Sequence, residues 1–352
     1  MLLLKNSIYW KDETMGKNIL FCSVGRRGDL VKDFKKSLDV NAKIIATDNT
    51  NTAPGLYFAD KQYIVPKITE ENYIPIILDI CKKEKVGAVT TLIDPEIAIL
   101  AKHREEFEKI GVEVLAPYQE TASLCFDKFL MYRFLVKQGI RTAMTFGTLD
   151  SFTKAYEAGE ISFPVFVKPR TGSGSVGARK IETLQELKIA CHADQTLIIQ
   201  QLMQGVDLDA DVYVDTISHK AVSIFTKKKL ETKIGGANKT VSFKDEKLFG
   251  VIGQIVSEFK FNGPIDMDFF YVDGEYYLSE INPRFGGAYL HAFGCGVNFI
   301  KLIENNINGI ENKAEFGNYE EDVLMMMYDS VVIKPRKEIE EQVEEMLWTY
   351  CI

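Results

Sequence analysis

Along the chain, apolar residues first gather into short runs that alternate with longer amphipathic stretches. Runs at 19–24, 44–47, 63–65, 88–93 and 112–115 have the length of buried strands. Between them, 30–38, 73–83 and 96–110 carry helical spacing. Short strands alternating with helices of this length predict a parallel sheet wrapped by helices, an open α/β unit that ends near Pro117. A helical stretch follows over 118–138, and then the pattern changes. Strand signals crowd together at 165–168, 179–181, 197–201, 210–214, 221–225, 266–272 and 276–281. The last two flank Val272-Asp273-Gly274-Glu275, whose Asp-Gly pair predicts a tight hairpin. This texture is α+β with antiparallel sheets. The chain closes on a strand over 323–333 and an acidic amphipathic helix over 337–347. Met15 leads directly into the first strand, so residues 1–14 are expected to be an extension, 15–117 the α/β domain, 118–312 the larger domain and 313–352 a closing strand and helix.

A hydrophobic share of 46% over 352 residues is enough for two real cores. The charge balance, 42 − 50 = −8, argues against a protein whose work is gripping a nucleic-acid backbone. Six scattered cysteines form no C-x-x-C pair, and the four histidines supply no zinc spacing, so free thiols in a reducing compartment are expected. His103, His192 and His219 are expected to be surface or structural residues, and His291 follows the strand over 276–281 without motif support as a catalyst. The Met325-Met326-Met327 run is expected to pack in the core. The apolar Met1 to Leu4 meet Lys5 at once, and no run approaches the roughly 18 apolar residues of a membrane span. The expectation is a cytoplasmic protein without membrane or nucleic-acid partners, and a homodimer is the default assembly.

Three stretches could carry chemistry. In Lys168-Pro169-Arg170-Thr171-Gly172-Ser173-Gly174-Ser175-Val176-Gly177, the glycines formally satisfy G-x-G-x-x-G. A dinucleotide site needs a helix to begin inside that loop, whereas 178–181 looks like another strand; a Walker loop needs Lys-Ser/Thr after the last glycine. The loop therefore reads as a glycine-serine hairpin tip, either a plain turn or a flap whose N–H groups cover phosphates beside Lys168 and Arg170.

In the second stretch, Glu280 and Asn282 lie two apart on a strand and share a face, with Leu278 and Ile281 turned into the core. Pairing through the Asp273-Gly274 turn brings Asp268 close to Glu280. Two carboxylates and an amide oxygen make either a solvated hairpin face or a hard oxygen site for Mg²⁺, with Arg284 just beyond to hold an anion. In the third, Gln201-Leu202 ends an apolar strand before a polar stretch and Asp207, either a plain strand-to-loop boundary or a hinge that meets an adenine edge while Asp207 reaches a ribose. At the N-terminus, Gly25-Arg26-Arg27-Gly28 between strand and helix is either a plain turn or an anion site.

In order, Asp127-Lys128, Lys168 with its glycine hairpin, the hinge at 200–205, Asp268, and Glu280-Ile281-Asn282-Pro283-Arg284 resemble an ATP-grasp enzyme. More narrowly, from Met15 to about Gly309 the chain resembles the stand-alone carboxylate–amine ligases related to the large subunit of carbamoyl phosphate synthase. The resemblance implies a pre-ATP-grasp domain followed by an ATP-grasp fold with a lid over about 141–201. It implies that Lys128 and Lys168 contact ATP phosphates, that Ser173, Gly174, Ser175 and Gly177 form the flap, and that Gln201 and Leu202 meet adenine. Asp207 takes the place of a ribose-binding Glu. Asp268, Glu280 and Asn282 match ligands of two Mg²⁺, for which Mn²⁺ can substitute, and Arg284 matches the residue that steadies the transferred phosphoryl.

The implied activity is ATP-dependent formation of an acyl phosphate, with release of ADP, and its capture by an amine or ammonia to form an amide. Besides Asp207, two further positions depart from the pattern. Lys233 and Gly236 stand where related sequences commonly carry Arg and Glu, which touches the acceptor side of the reaction and motivates the alternative of a catalytically silent ATP/Mg-binding regulatory protein. An NAD-dependent oxidoreductase on the first domain lacks the necessary glycine fingerprint.

Overall fold

The structure, a computed structural model, describes residues 17–340 apart from Ser173, Ser175, Ile234 and Gly235. The expected extension at 1–14 and most of the expected terminal helix therefore lie outside the described residues; 336–340 are helical.

Strands β1 (Asn18–Cys22), β2 (Ile44–Asp48), β3 (Lys61–Ile64), β4 (Val86–Thr91) and β5 (Glu113–Val114) form a five-stranded parallel sheet in the order β3-β2-β1-β4-β5. Helices α1 (Gly28–Ser37), α2 (Tyr73–Lys83), α3 (Asp94–Lys102) and α4 (Arg104–Glu108) connect them. Sheet order reverses between β1 and β4. Their carboxyl ends, the loops at 23–28 and 92–94, therefore frame the crevice where open α/β sheets place ligands. The single helix expected over 96–110 divides at His103, and the buried Arg104 guanidinium donates to the carbonyls of Val114, Ala116 and Pro117.

The expected helix over 118–138 likewise divides into α5 (Gln119–Phe126) and α6 (Lys128–Lys137). Asp127 causes the break: its carboxylate accepts from the N–H groups of Phe129 and Leu130, 3.0 Å each, as an N-cap requires. A four-stranded antiparallel sheet then forms from β6 (Thr145–Phe146), β7 (Val165–Pro169), β8 (Arg179–Ile181) and β9 (Leu197–Gln201), with α7 (Leu149–Glu157) and α8 (Leu184–Ala193) on one face. This layer has its own apolar core, built on Phe152, Val165, Val167, Ile181, Leu187 and Ile199.

The large sheet contains β10 (Val206–Val214), β11 (Ala221–Lys233), β12 (Gly236–Phe243), β13 (Gly263–Val272), β14 (Glu275–Asn282), β15 (Glu315–Phe316) and β16 (Leu324–Met326). Helix α9 (Glu246–Ser257) covers one face, while α10 (Tyr289–Gly294) and α11 (Phe299–Ile307) lie toward the N-terminal domain. The hairpin at Asp273-Gly274 forms as its sequence demands, both residues taking positive φ, 49° and 83°. Strand β12 has no sequence signal. The strand expected over 323–333 shrinks to β16, which pairs β12 only across 239–241; Tyr328, Val331 and Ile333 beyond it are exposed. Met326 is 64% exposed, so the methionine run, expected as core, forms a sheet edge instead.

The two domains share one core. Phe21, Leu30 and Phe34 pack with Phe285, Tyr289 and Phe299, and the rings of Phe34 and Phe285 meet edge to face at 5.4 Å.

Candidate active site

Strand β7 alternates: Val165 and Val167 face the lid core, while Phe166 and Lys168 face the large sheet. Burial pushes the Lys168 ammonium below its ordinary pKa; the nearby Lys128 adds to this, and Glu280 and Asp268 oppose it. Lys128 opens α6, donates to the Gly172 carbonyl and lies 3.4 Å from Glu280 Oε1. The two lysines and two carboxylates implied by the sequence thus converge between lid and sheet. Arg170, read from sequence as a phosphate cation, is committed elsewhere. Its guanidinium grips Asp127, Nε at 2.8 Å from both oxygens and Nη2 at 2.7 Å, and its cation lies 5.6 Å from the Phe129 ring centre. It thereby ties the start of α6 to the start of the glycine loop.

In that loop Gly172, Gly174 and Gly177 all take positive φ, 102°, 72° and 75°, which glycine alone adopts without strain. Ser173 and Ser175 of the expected flap lie outside the described residues. At the hinge, the Gln201 N–H donates to the Met144 carbonyl at 2.8 Å, so only its carbonyl and the following Leu202 remain to meet a base edge.

The metal residues stand in two rows across the sheet. Lys227 (β11), Asp209 (β10), Asp268 (β13) and Glu280 (β14) are successive direct partners; in the next row Asp211, Asp266 and Asn282 are paired in the same way. A β-bulge at Ser279 makes this compatible with the core. Strict alternation would put Leu278 on the face of Glu280; the extra residue turns Leu278 inward beside Ile281, and both are buried among Met267 and Phe269.

Lys229 occupies the centre of the cleft. Its ammonium pairs with Asp268 Oδ1 and lies 3.1 Å from Asp207 Oδ1. Burial pushes Asp268 up to about 6, with Asp209 and Glu280 adding to the rise and Lys229 opposing it. Burial also raises Asp207, again against Lys229. A pair of carboxylates facing each other in register, one of them pushed up mainly by burial, beside the Asn282 amide, is an oxygen set that fits Mg²⁺. A second acidic triad, Asp209, Asp211 and Asp266, has ligand atoms within 4.8 Å of one another. The fully buried Lys227 already fills it, 2.8 Å from Asp209 Oδ1 and closer to Asp211. Asp209 is held below its ordinary pKa by Lys227 against burial, while burial and the neighbouring carboxylates push Asp266 far up. The triad is an internal ion-pair network.

Arg284 follows Asn282 and reaches across to the N-terminal domain. Its Nε donates to Asp94 Oδ1 at 2.7 Å, Nη2 to Asp94 Oδ2 at 3.3 Å, and Nη1 to the Phe285 carbonyl at 3.1 Å. Arg27, from the candidate anion loop, donates to the Gly286 carbonyl at 2.6 Å. Asp94, Lys227, Lys229 and the three aspartates of the second triad are not picked out as site residues by sequence. A signal is present in Asp207-Leu208-Asp209-Ala210-Asp211 and Lys227-Lys228-Lys229, where every second residue shares a strand face. His291, which has no motif support as a catalyst, is buried, its Nδ1 2.7 Å from Thr240 Oγ1. Lys233 and Gly236 pair at the end of the β11–β12 hairpin; a Cβ on Gly236 would meet only the Lys233 carbonyl, at 3.8 Å, so space does not dictate glycine there.

Among the described residues no helix is long and apolar enough to cross a membrane. Residues 19–115 match the PylC-like N-terminal domain and residues 125–288 the ATP-grasp domain. A D-alanine–D-alanine ligase of Clostridium botulinum is 25% identical over 266 residues, 68% of this chain and 87% of that protein. A phosphoribosylamine–glycine ligase of Methanocella arvoryzae is 25% identical over 56% of this chain and 46% of its own length. Among solved structures, the biotin carboxylase domain of Hydrogenobacter thermophilus 2-oxoglutarate carboxylase, in complex with MgADP and bicarbonate, superposes with a TM-score of 0.69 at 17% identity, covering 88% of this chain and 73% of that one. The N5-carboxyaminoimidazole synthetase of Staphylococcus aureus, complexed with ADP, gives 0.69 at 15%, covering 84% and 78%. With a PylC-like domain leading into an ATP-grasp domain, the chain is a member of the ATP-grasp family.

Proposed function

We propose that the protein is an ADP-forming carboxylate–amine ligase. ATP phosphorylates a small-molecule carboxylate, and an amine or ammonia displaces phosphate from the acyl phosphate to form an amide. The observation that carries this reading is the convergence of Lys128 and Lys168 on Asp268 and Glu280, with Asn282 and Arg284 continuing the same strand end.

Asp268, Glu280 and Asn282 would hold two Mg²⁺, or Mn²⁺ in their place, which would neutralise phosphate charge. Lys128 and Lys168 fix the phosphate oxygens; burial lowers the Lys168 pKa against the pull of Glu280 and Asp268, and a polyphosphate would add anionic partners there. Gln201 and Leu202 take the adenine edge, and Asp207, with Lys229 beside it, takes the ribose. The flap of Ser173, Gly174, Ser175 and Gly177 excludes water from the acyl phosphate. Arg284 stabilises the charge on the phosphoryl group in flight. The non-nucleotide substrate enters at the reversal between β1 and β4, beside Arg26 and Arg27. The reading takes 15–117 as the pre-ATP-grasp domain, 118–312 as the ATP-grasp domain with its lid at about 141–201, and 313–352 as a closing segment, from which Glu315–Phe316 and Leu324–Met326 join the large sheet. A cytoplasmic homodimer is the expected state.

The test pairs binding with chemistry. ADP at about 100 times its dissociation constant should stabilise the protein by about 2.7 kcal/mol, and chelation of Mg²⁺ should abolish the shift. Carboxylates supplied with MgATP and hydroxylamine should then yield hydroxamates with matching ADP. A magnesium-dependent nucleotide shift without turnover on any carboxylate would leave a nucleotide-binding protein and remove the ligase.

A further inference from the structure

We infer that Asp94, at the start of α3 in the N-terminal domain, is a positioning residue for Arg284, so that the phosphoryl-binding guanidinium is aimed from the domain that forms the substrate crevice. This rests on the reading of Arg284 given above. An arginine carries five N–H groups. Asp94 takes Nε and one N–H of Nη2 along the side edge, and the Phe285 carbonyl takes one of Nη1. Two N–H groups, one on each terminal nitrogen, remain without a hydrogen bond, Nη1 lying 3.8 Å from Asp266 Oδ2, and a phosphoryl group can take both.

The contact does more than join two domains. Cohesion there already comes from the shared apolar core, in which Phe285 packs against Phe34. A single ion pair, each side chain 15% exposed, adds little to that. What the pair does fix is direction: a two-point fork sets the plane of the guanidinium. The backbone just after Arg284 is held from the same domain, because Arg27 donates to the Gly286 carbonyl at 2.6 Å and lies 3.4 Å from that of Phe285. Asp94 begins the loop-to-helix step after β4, and Arg27 ends the loop after β1, so both holds come from the two loops of the crevice. A change in that crevice is therefore transmitted directly to Arg284.

The test uses the full chain as wild type, Asp94→Asn, Asp94→Glu, Arg284→Lys and the Asp94→Asn/Arg284→Lys double variant. Thermal shifts are read with MgADP alone and with MgADP plus aluminium fluoride, which mimics the phosphoryl group in flight. Asp94→Asn should keep its MgADP affinity within about twofold. It should lose about ten- to a hundredfold in affinity for the fluoride complex, as Arg284→Lys does, since a displacement near 1 Å carries that penalty. The double variant should be no worse than either single one. Asp94→Glu retains the charge, should recover part of the loss, and serves if Asp94→Asn does not fold.

Wild-type response to fluoride that Arg284→Lys abolishes and both Asp94 variants preserve would overturn the inference alone. Equal loss of MgADP and fluoride binding in Asp94→Asn would also overturn it, by showing a general structural role. Absence of any fluoride response in the wild type would overturn the phosphoryl role of Arg284, and this inference with it.

Discussion

Asp268 on β13 stands directly opposite Glu280 on β14, while Asp209 flanks Asp268 from the other side and Lys229 supplies the compensating charge. Burial raises Asp268 to about 6, with Asp209 and Glu280 adding to the rise and Lys229 opposing it. Glu280→Gln removes one like charge and leaves the strand intact. Its unliganded melting temperature should match or exceed that of the wild type, while the magnesium-dependent part of the ADP shift disappears and turnover falls at least about a hundredfold, the scale of losing one transition-state contact. Melting curves with and without chelator check the first part, and ADP release checks the second. Full MgATP-dependent turnover in this variant would dispose of the metal assignment.

The lysine one row deeper has a different task. Lys227 has no exposed surface and touches two buried carboxylates, Asp209 and Asp211. Lys227→Met preserves much of the volume but leaves those carboxylates without a counter-charge. Breaking one partner out of a buried pair costs about 3–5 kcal/mol. Urea unfolding at neutral pH should show a loss of this size. A loss below about 1 kcal/mol would mean that the network is looser than its geometry implies.

Much of this is legible in the chain, for identifiable reasons. The Asp273-Gly274 pair permits one turn, so the register from Val272–Glu275 to Phe269–Leu278 follows from the residue order alone and brings Asp268 close to Glu280, although strict counting would pair it with Ser279. Strands whose buried faces are apolar, such as β1 and β7, are equally plain. The bulge at Ser279 is not, since no residue type there demands it; only the fact that Leu278 and Ile281 are both apolar hints at a change of phase. Strand β12 escapes because its buried face includes Thr240 and Ser242, bonded to His291 and to the Glu320 carbonyl, so that polarity hides the alternation. The division at Asp127 is hidden by apolar residues continuing with helical spacing on both sides. Long-range charge pairing is the least readable: Asp94 and Arg284 are 190 residues apart and meet only because two domains share a core.

Gly286 gives a steric test of the catalytic loop. A Cβ at this position would lie 2.6 Å from Asp266 Oδ1 and 2.8 Å from Asp211 Oδ1, two carboxylate atoms without a hydrogen-bond partner. Neither aspartate can retreat easily, because both lie on central strands of the sheet. In Gly286→Ala the loop must move, and Arg284 moves with it. Overpacking of this kind costs about 1–3 kcal/mol of stability. The more telling effect is kinetic: kcat should fall by about tenfold or more while the KM for MgATP stays within about twofold, since the hinge and lid are untouched. Equal changes in both constants would place Gly286 outside the phosphoryl-transfer step.

A buried histidine sets part of the pH dependence of stability. Burial pushes His291 down to about 4, and the nearby Lys227 ammonium adds to this. Its ordinary value is about 6.5. Between these limits the unfolded chain binds a proton that the folded protein refuses, so the unfolded state gains stability as the pH falls. The contribution of His291 is therefore fully present above about pH 6.5 and is lost progressively from there towards pH 4. In His291→Phe the ring contact with Phe225 can be kept, but the bond to Thr240 and the titration are removed. The variant should be less stable than wild type at pH 7.5, with a shallower decline between pH 6.5 and 4.5. Urea unfolding at four pH values across that interval measures the two slopes. Parallel slopes would show that His291 takes up its proton in the folded state as readily as in the unfolded chain, and acid sensitivity would then belong to the carboxylate rows alone.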